Sequence, residues 1–191
     1  ISKVSPSAVH LSFKFCDISS NPDYNQPRKV TVSNGRLYVD GQEFYVKGAA
    51  ATMCHSLMAD YGANVCRIYG ASKQTRGLLD ELHDNGVMCY LGLPAKAYSS
   101  FSEGEATYDD PSYRAAAIAS VIEIVEELKD HPSVLCWSLG NELEVNGNAT
   151  REGYFKYYGE LAAAVHDTDP NHPVTAAFTG IPTAFKISKI N

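Results

Sequence analysis

Residues 131–142 of this chain read HPSVLCWSLGNE, and the interpretation of the whole sequence depends on this stretch. The run over residues 134–139 is almost entirely apolar, which is typical of a β-strand buried on both faces. It ends abruptly in Gly-Asn-Glu at residues 140–142. An amide and a carboxylic acid therefore stand side by side at the point where a buried strand meets solvent.

Segments with the pattern of strands and helices alternate on both sides of this stretch. Strands are predicted over residues 44–49, 63–69, 87–93, 134–139 and 173–178. Helices are predicted near residues 52–61, from Ser72 to Asn85-Gly86, from Asp110-Pro111 through Leu128, and from Tyr154 to Val165. Ahead of these units, the turn pairs Asn34-Gly35 and Asp40-Gly41 predict a short β-hairpin region. Repeated strand–helix units imply a parallel sheet with right-handed crossovers.

Two architectures accommodate these units: an open, doubly wound sheet and a (β/α)8 barrel. A doubly wound sheet that binds nucleotides should carry a glycine-rich phosphate loop after its first strand, whereas residues 47–52 read KGAAAT. The sequence therefore predicts an α/β fold of the (β/α)8 TIM-barrel type, represented by its first five βα units. Residues 1–29 are predicted to be an irregular N-terminal arm, and residues 30–191 to form the partial barrel domain.

Composition narrows the classes of function. The 191 residues are 45% apolar and 20% charged, which is ordinary for a globular protein. The net charge of −6 argues against a protein that binds nucleic acid or anionic membrane surfaces. No apolar run approaches the ~20 residues of a membrane span. The cysteines form no Cys-x-x-Cys pair, so no metal site is predicted, and Cys66, Cys89 and Cys136 are expected to be buried thiols.

Polar side chains at the predicted strand ends are expected to converge on one opening, as in barrels generally. Glu142 follows an apolar strand, and partial burial there would raise its pKa toward the value that a general acid needs. The alternative is a glutamate at the start of a helix, where the helix dipole favours a negative charge. Arg67 lies in an apolar run and is expected to pair with a carboxylate, either at a functional site or in a structural ion pair inside the barrel.

Further candidates point to sugars. Asn141 can donate to a sugar hydroxyl, and Tyr69 and Trp137 are candidate substrate-binding aromatics. Asn148 begins the N-glycosylation sequon Asn148-Ala149-Thr150, which favours a secreted or extracellular glycoprotein. This chemistry requires no cofactor.

Four stretches carry a resemblance to a known family. They are residues 36–48, RLYVDGQEFYVKG; residues 61–70, YGANVCRIYG; residues 131–142; and residues 169–174, DPNHPV. Together they resemble glycoside hydrolase clan A, and most closely the barrel domain of the β-galactosidase/β-glucuronidase family. The region over residues 61–111 is also similar to fungal β-1,3-glucanosyltransferases of the same clan. The resemblance implies a carbohydrate partner and a retaining double displacement at O-glycosidic bonds, by hydrolysis or transglycosylation.

Carried over position by position, the resemblance implies Glu142 as the acid/base and Asn141 as the partner of the sugar 2-hydroxyl. It implies Arg67 as a contact of the nucleophile carboxylate. Family members often have an Asn or His after the first strand, where residues 49–51 of this sequence are alanines. The nucleophile glutamate of the family belongs to strand seven and is absent from this sequence.

Three interpretations stay open. The chain is part of a longer hydrolase whose other strands lie elsewhere, or it is a catalytically inactive structural or carbohydrate-binding glycoprotein derived from such a hydrolase. The third interpretation is an unrelated α/β protein with a chance Gly-Asn-Glu. In the first two, a second chain or copy is expected to cover the open edge of the partial barrel.

Overall fold

The computed structural model describes residues 25–97, 100–143 and 152–178, which form two sheets. The small sheet contains β1 (Val30–Ser33), β2 (Arg36–Val39) and β3 (Gln42–Glu43). The large sheet contains β4 (Gly48–Ala50), β5 (Val65–Ile68), β6 (Met88–Gly92), β7 (Val134–Asn141) and β8 (Val174–Ala177). Helices α1 (His55–Asp60), α2 (Arg76–Asp84), α3 (Pro111–Leu128) and α4 (Glu152–Thr168) connect its successive strands.

The strand order of the large sheet identifies the architecture. Its strands run β4-β5-β6-β7-β8, and every neighbouring pair is parallel. A doubly wound sheet reverses its order at a switch point, whereas a barrel adds each strand beside the previous one. The described residues therefore form an α/β fold with five consecutive strands of a (β/α)8-type barrel, as the sequence predicts. The predicted N-terminal arm lies outside the described residues except for residues 25–29, so that boundary stays a prediction.

The predicted strands and helices of the βα units are present, with ends shifted by a few residues. The largest change concerns β4, which is predicted over residues 44–49 and observed at Gly48–Ala50. Residues 44–47 instead connect the small sheet to the large one. Helix α3 begins as expected, because the Asp110 carboxylate accepts a hydrogen bond of 2.8 Å from the backbone N–H of Ser112 and caps the helix.

The small sheet folds through its two turn pairs. Asn34-Gly35 and Asp40-Gly41 all adopt positive φ angles between 50° and 80°. Both central residues of a type I′ turn need such angles, which is why these pairs can join strands so tightly. The third strand of this sheet is limited to Gln42–Glu43.

This small sheet packs under the amino-terminal ends of the large one. Its inner apolar residues contact residues at the beginning of the parallel strands; the cluster comprises Val30, Val39, Phe44, Val65, Met88, Leu135 and Cys136. The Arg28 guanidinium is 2% exposed and lies 2.9 Å from the Asp40 carboxylate. The backbone N–H of Val30 donates to the carbonyl of Asn171 at 2.8 Å. The amino-terminal ends of the strands are therefore covered, and their carboxyl-terminal ends are left for a site.

The thiols expected to be buried are buried. Cys66 and Cys89 are fully buried, face each other in register on β5 and β6, and have raised pKa values because of that burial. Burial also raises the pKa of Cys136 to about 12. These thiols pack as small hydrophobic groups and are poor nucleophiles. No helix within the described residues has the length and apolar character needed to cross a membrane.

Candidate active site

The carboxyl-terminal ends of β5 and β7 bring the predicted polar residues together. Among the described residues, Glu142 is the one acidic residue that directly follows a strand of the large sheet. Asn141 is the last residue of β7, and Arg67 and Tyr69 lie at the end of β5. Catalytic groups of barrel enzymes lie at this end of the strands. The structure therefore brings together the residues that the sequence predicts to converge, and their role as a site stays a prediction.

A backbone kink at Gly140 turns the end of β7. Gly140 has a φ of 138°, and a Cβ atom there would lie 2.7 Å from Cδ1 of Leu143 and 3.3 Å from the hydroxyl oxygen of Tyr158. No other residue fits both the angle and the space. Glu142 itself has a left-handed φ of 51°, and its N–H donates to the carbonyl of Ala177 on β8 at 2.8 Å. Unfavourable backbone angles of this kind persist where the surrounding structure imposes them, and they cluster at functional sites.

Arg67 and Asn141 make a direct contact across the sheet. Nη2 of Arg67 donates to Oδ1 of Asn141 at 2.7 Å, although the residues are 74 positions apart. An amide has one acceptor oxygen and one donor NH2 group. Because Arg67 donates to the oxygen, the NH2 group of Asn141 is the end that can still donate a hydrogen bond.

The Arg67 guanidinium is held by aromatic rings rather than by a carboxylate. Its Cζ lies 4.4 Å from the ring centroid of Tyr69 and 5.2 Å from that of Tyr90, which are cation–π distances. No ion pair within the described part of the chain involves Arg67, and its buried Nε has no hydrogen-bond partner there. The alternative of a structural ion pair is therefore not supported by the described residues. The guanidinium keeps a donor for a further acceptor.

Glu142 is exposed, and its carboxylate makes no hydrogen bond or ion pair with any residue that the structure describes. The partial burial expected from the sequence is therefore wrong for the described part of the chain. The contact with β8 that the structure shows at Glu142 is a main-chain hydrogen bond, from the Glu142 N–H to the carbonyl of Ala177, which does not bury the side chain.

Tyr69 lies beside Arg67, whereas Trp137 lies in the core. Tyr69 is 55% exposed and lines a concave space of about 350 Å³ together with Arg67 and Tyr90. Its contact with substrate stays a prediction. Trp137 is fully buried in the core, where Nε1 donates to Oδ2 of Asp169 at 2.7 Å, so we assign it to the core rather than to the site.

The kink at Gly140 explains why Trp137 lies in the core although Asn141 lies at the site. Side chains alternate along a strand, so Trp137 should share a face with Asn141. The pairing of β7 with β8 is irregular between Ser138 and Asn141, and the kink at Gly140 lies in that interval. The alternation is broken there, and Asn141 turns toward Arg67 while Trp137 stays in the core.

Two residues of the site were missed from the sequence. The Tyr90 hydroxyl lies 3.0 Å from Oγ of Ser138, and that Oγ lies 3.2 Å from the carbonyl oxygen of Gly140. The sequence feature that could have indicated them is the presence of a hydroxyl group in each of two otherwise apolar strands. Asn148 lies outside the described residues, and within those residues no cluster of three potential metal ligands occurs.

Comparison with known proteins identifies the family. Residues 53–189 match the model of the glycosyl hydrolases family 2 TIM barrel domain. The chain belongs to glycosyl hydrolase family 2. This assignment agrees with the barrel topology, and it removes the interpretation of an unrelated α/β protein.

Individual relatives of this family 2 chain point the same way. It is 27% identical to a β-glucuronidase of Bacteroides fragilis over 122 residues, which cover 64% of the chain and 17% of that protein. It is 26% identical to a β-galactosidase of Enterobacter cloacae in an alignment 203 residues long, gaps included, which covers 95% of the chain and 17% of that protein. The solved β-D-glucuronidase of Dictyoglomus thermophilum has the same fold, with a TM-score of 0.61, 21% identity, and coverage of 80% of this chain and 29% of that one. The chain thus spans a minor part of the relatives it matches.

Proposed function

We propose that this chain provides the acid/base half of a retaining glycoside hydrolase site that acts on β-linked O-glycosides. The observation that carries the proposal is the hydrogen bond of 2.7 Å from Arg67 to Asn141, which joins β5 to β7 immediately beside Glu142. The β-linkage is proposed because the similar proteins are named β-glucuronidase and β-galactosidase. The relatives differ in the sugar that they name, so the sugar is left open.

Each residue then has a defined task. Glu142 protonates the leaving-group oxygen in the first step and activates water, or an acceptor hydroxyl, in the second. The NH2 group of Asn141 donates to the sugar 2-hydroxyl, a hydrogen bond that strengthens in the transition state. Arg67 fixes the orientation of that amide through its oxygen.

The nucleophile has to come from outside the described residues. A retaining mechanism needs a second carboxyl group about 5–5.5 Å from the first, and no other acidic residue directly follows a described strand of the large sheet. The buried Nε of Arg67 has no partner among the described residues. Arg67 as a whole is only half-buried, and a guanidinium has five N–H donors, so its remaining donors are suitable contacts for an incoming carboxylate.

We propose that the same polypeptide region, or a second chain or copy, also covers the edge of the sheet at β4. All three residues of β4 are exposed, and β4 pairs on one side only within the described part of the chain. Tyr45, Met53 and Tyr61, which precede and follow β4 in the sequence, are between 70% and 87% exposed. Exposed apolar side chains beside an unpaired strand edge are typical of an interaction surface.

An activity assay with a complementing polypeptide tests the proposal. We expect the 191-residue chain alone to leave 4-nitrophenyl β-D-glucuronide and β-D-galactoside intact. We expect turnover of one of them when the chain is mixed with a polypeptide that carries strands six to eight of a family 2 barrel. Glu142→Gln should abolish that turnover, and it should slow poor leaving groups most because those need acid assistance.

Glu103→Gln is the matched control, since Glu103 is also exposed and the change in charge is the same. Equal losses in the two variants, or equal losses for good and poor leaving groups in Glu142→Gln, would contradict the acid role. Turnover by the chain alone that Glu142→Gln abolishes would instead show that the nucleophile lies within this chain.

A second candidate function is a carbohydrate-binding or structural glycoprotein without activity. It is favoured by the exposure of Glu142 and by the lack of a second acidic residue directly after the described strands. It predicts sugar binding that Asn141→Ala weakens and Glu142→Gln leaves unchanged, with no turnover in any mixture. We also propose secretion and modification at Asn148. A mass excess on the native protein that an N-glycan-releasing enzyme removes would support this, and an unmodified mass would contradict it.

A further inference from the structure

Tyr90 on β6 contacts both sides of the proposed site. Its ring lies 5.2 Å from the Arg67 guanidinium, and its hydroxyl lies 3.0 Å from Oγ of Ser138 on β7. Arg67 holds the side chain of Asn141, and Ser138 holds the backbone just before it. We infer that Tyr90, acting through Ser138, is a positioning residue for Asn141 and Glu142, an inference that rests on the proposed function.

The direction of the hydrogen bonds follows from the chemistry of the groups. The carbonyl oxygen of Gly140 is an acceptor only, so the hydroxyl of Ser138 donates its one proton to it. Oγ of Ser138 must then accept from Tyr90, whose hydroxyl is the donor. The result is a directed chain from Tyr90 through Ser138 to Gly140. Ser138 is 1% exposed, so water cannot easily replace either bond.

This series of hydrogen bonds ends at the carbonyl of Gly140, the residue at which the strand kinks. Gly140 has a φ of 138°, an angle that glycine tolerates without preferring it strongly. A hydrogen bond to its carbonyl therefore selects one orientation of the peptide plane between Gly140 and Asn141. That orientation sets the direction in which Asn141 and Glu142 leave the strand. Loss of the Tyr90 hydroxyl should misalign both side chains without unfolding the sheet.

The first test needs no activity. We would compare backbone and side-chain amide signals of the ¹⁵N-labelled 191-residue chain with those of Tyr90→Phe, Ser138→Ala and the double variant. Tyr90→Phe keeps the ring beside Arg67 and removes the donor only. We expect both single variants to shift the signals of Asn141 and Glu142 in the same way, and the double variant to shift them no further. Tyr61→Phe, at an 87% exposed position, is the control that should leave them unchanged.

Unchanged signals of Asn141 and Glu142 in Tyr90→Phe would overturn the inference, and so would additive shifts in the double variant. If Ser138→Ala does not fold, Tyr90→Phe alone decides, because it retains the volume of the ring. This test distinguishes the inference from the proposed function, since it reads the position of the groups and not their chemistry.

A second readout applies once turnover is restored by the complementing polypeptide. Tyr90→Phe should lower kcat about five- to tenfold for poor leaving groups, the effect of one misaligned hydrogen bond, with little change in KM. The loss should be smaller for good leaving groups, which need less help from Glu142. A purely structural role would reduce all substrates equally, and that result would contradict the positioning role.

Discussion

Asp169 accepts a hydrogen bond of 2.7 Å from the indole Nε1 of Trp137, from which it is separated by 32 positions. The same oxygen lies 2.7 Å from Nδ1 of His172, and the other oxygen accepts from the backbone N–H of Asn171 at 3.0 Å. Asp169 is 1% exposed. This buried carboxylate therefore joins the middle of β7 to the segment that leads into β8.

Asp169→Asn should destabilise the fold by about 3 kcal/mol, because it weakens charge-assisted bonds and leaves a mismatched buried amide. Urea unfolding followed by tryptophan fluorescence measures the change, since the single tryptophan is the bonded one. Asp167→Asn removes an exposed carboxylate nearby and should change stability by less than about 0.5 kcal/mol. Similar losses in both variants would contradict the assignment.

The same carboxylate predicts a dependence on acid. Burial raises the pKa of Asp169, but the bonds from His172, Trp137 and Asn171 outweigh it and hold the pKa below its usual value. A carboxyl whose pKa is lower in the folded state stabilises the protein above the unfolded value, about 3.9, and this contribution is lost as the pH falls through the folded value. In Asp169→Asn the free energy of unfolding should therefore fall less steeply as the pH is lowered through the acid range. An unchanged dependence on pH would show that other carboxylates control it.

His131 predicts a second dependence nearer neutrality. Burial lowers the pKa of His131 despite the opposing effect of Asp80, and its Nδ1 accepts from the backbone N–H of Ser133 at 3.1 Å. A proton on Nδ1 would break that bond. The histidine stabilises the fold above its unfolded pKa of about 6.5, and the contribution is lost as the pH falls through the lower folded value.

Stability should thus decrease on acidification below about pH 6.5, and His131→Gln should reduce this slope. Arg76 lowers the pKa of His131 too, and the neighbouring His83 also has a lowered pKa, chiefly through burial and then through His131. His83→Gln therefore has to be measured alongside. The exposed His166 provides the control, and a His166→Gln variant should retain the full slope. Retention of that slope in His131→Gln would refute the prediction.

Gly140→Ala should cost about 2–4 kcal/mol, because it adds backbone strain to a steric conflict with Leu143. Gly77→Ala, in the exposed part of α2 with open space around it, should instead stabilise the protein by about 0.5–1 kcal/mol. Thermal unfolding of the two variants gives the contrast directly. Equal effects of the same sign would show that the kink is not fixed by Gly140.

Sequence patterns predicted most of the fold because the signals involved are local. The cap at Asp110 and the turn pairs of the small sheet act within a few residues, and all of them are observed. The parallel sheet followed from the alternation of strands and helices, and the barrel was preferred because the sequence lacks a phosphate loop after the first strand. Local patterns could not place β4, since its length depends on how the small sheet packs beneath it.

The candidate site was predicted in part for the same reason. Arg67, Asn141 and Glu142 follow from their positions at strand ends, whereas Trp137 was proposed as an aromatic near the site and lies in the core, because the kink at Gly140 separates its side of the strand from that of Asn141. Tyr90 belongs to the site through a contact made 48 positions away, which no single segment reveals. The exposure of Glu142 depends on what covers it in space, and sequence position alone does not contain that information.

The small antiparallel sheet has a consequence for how such a site is completed. Strands β1, β2 and β3 cover the amino-terminal ends of the parallel strands, whereas the outer edges of the described sheet are unpaired. A completing polypeptide would approach sideways and meet a preformed wall and base. Under the proposed function it would contribute strands and one carboxylate, and the chemistry would begin only when the two surfaces meet.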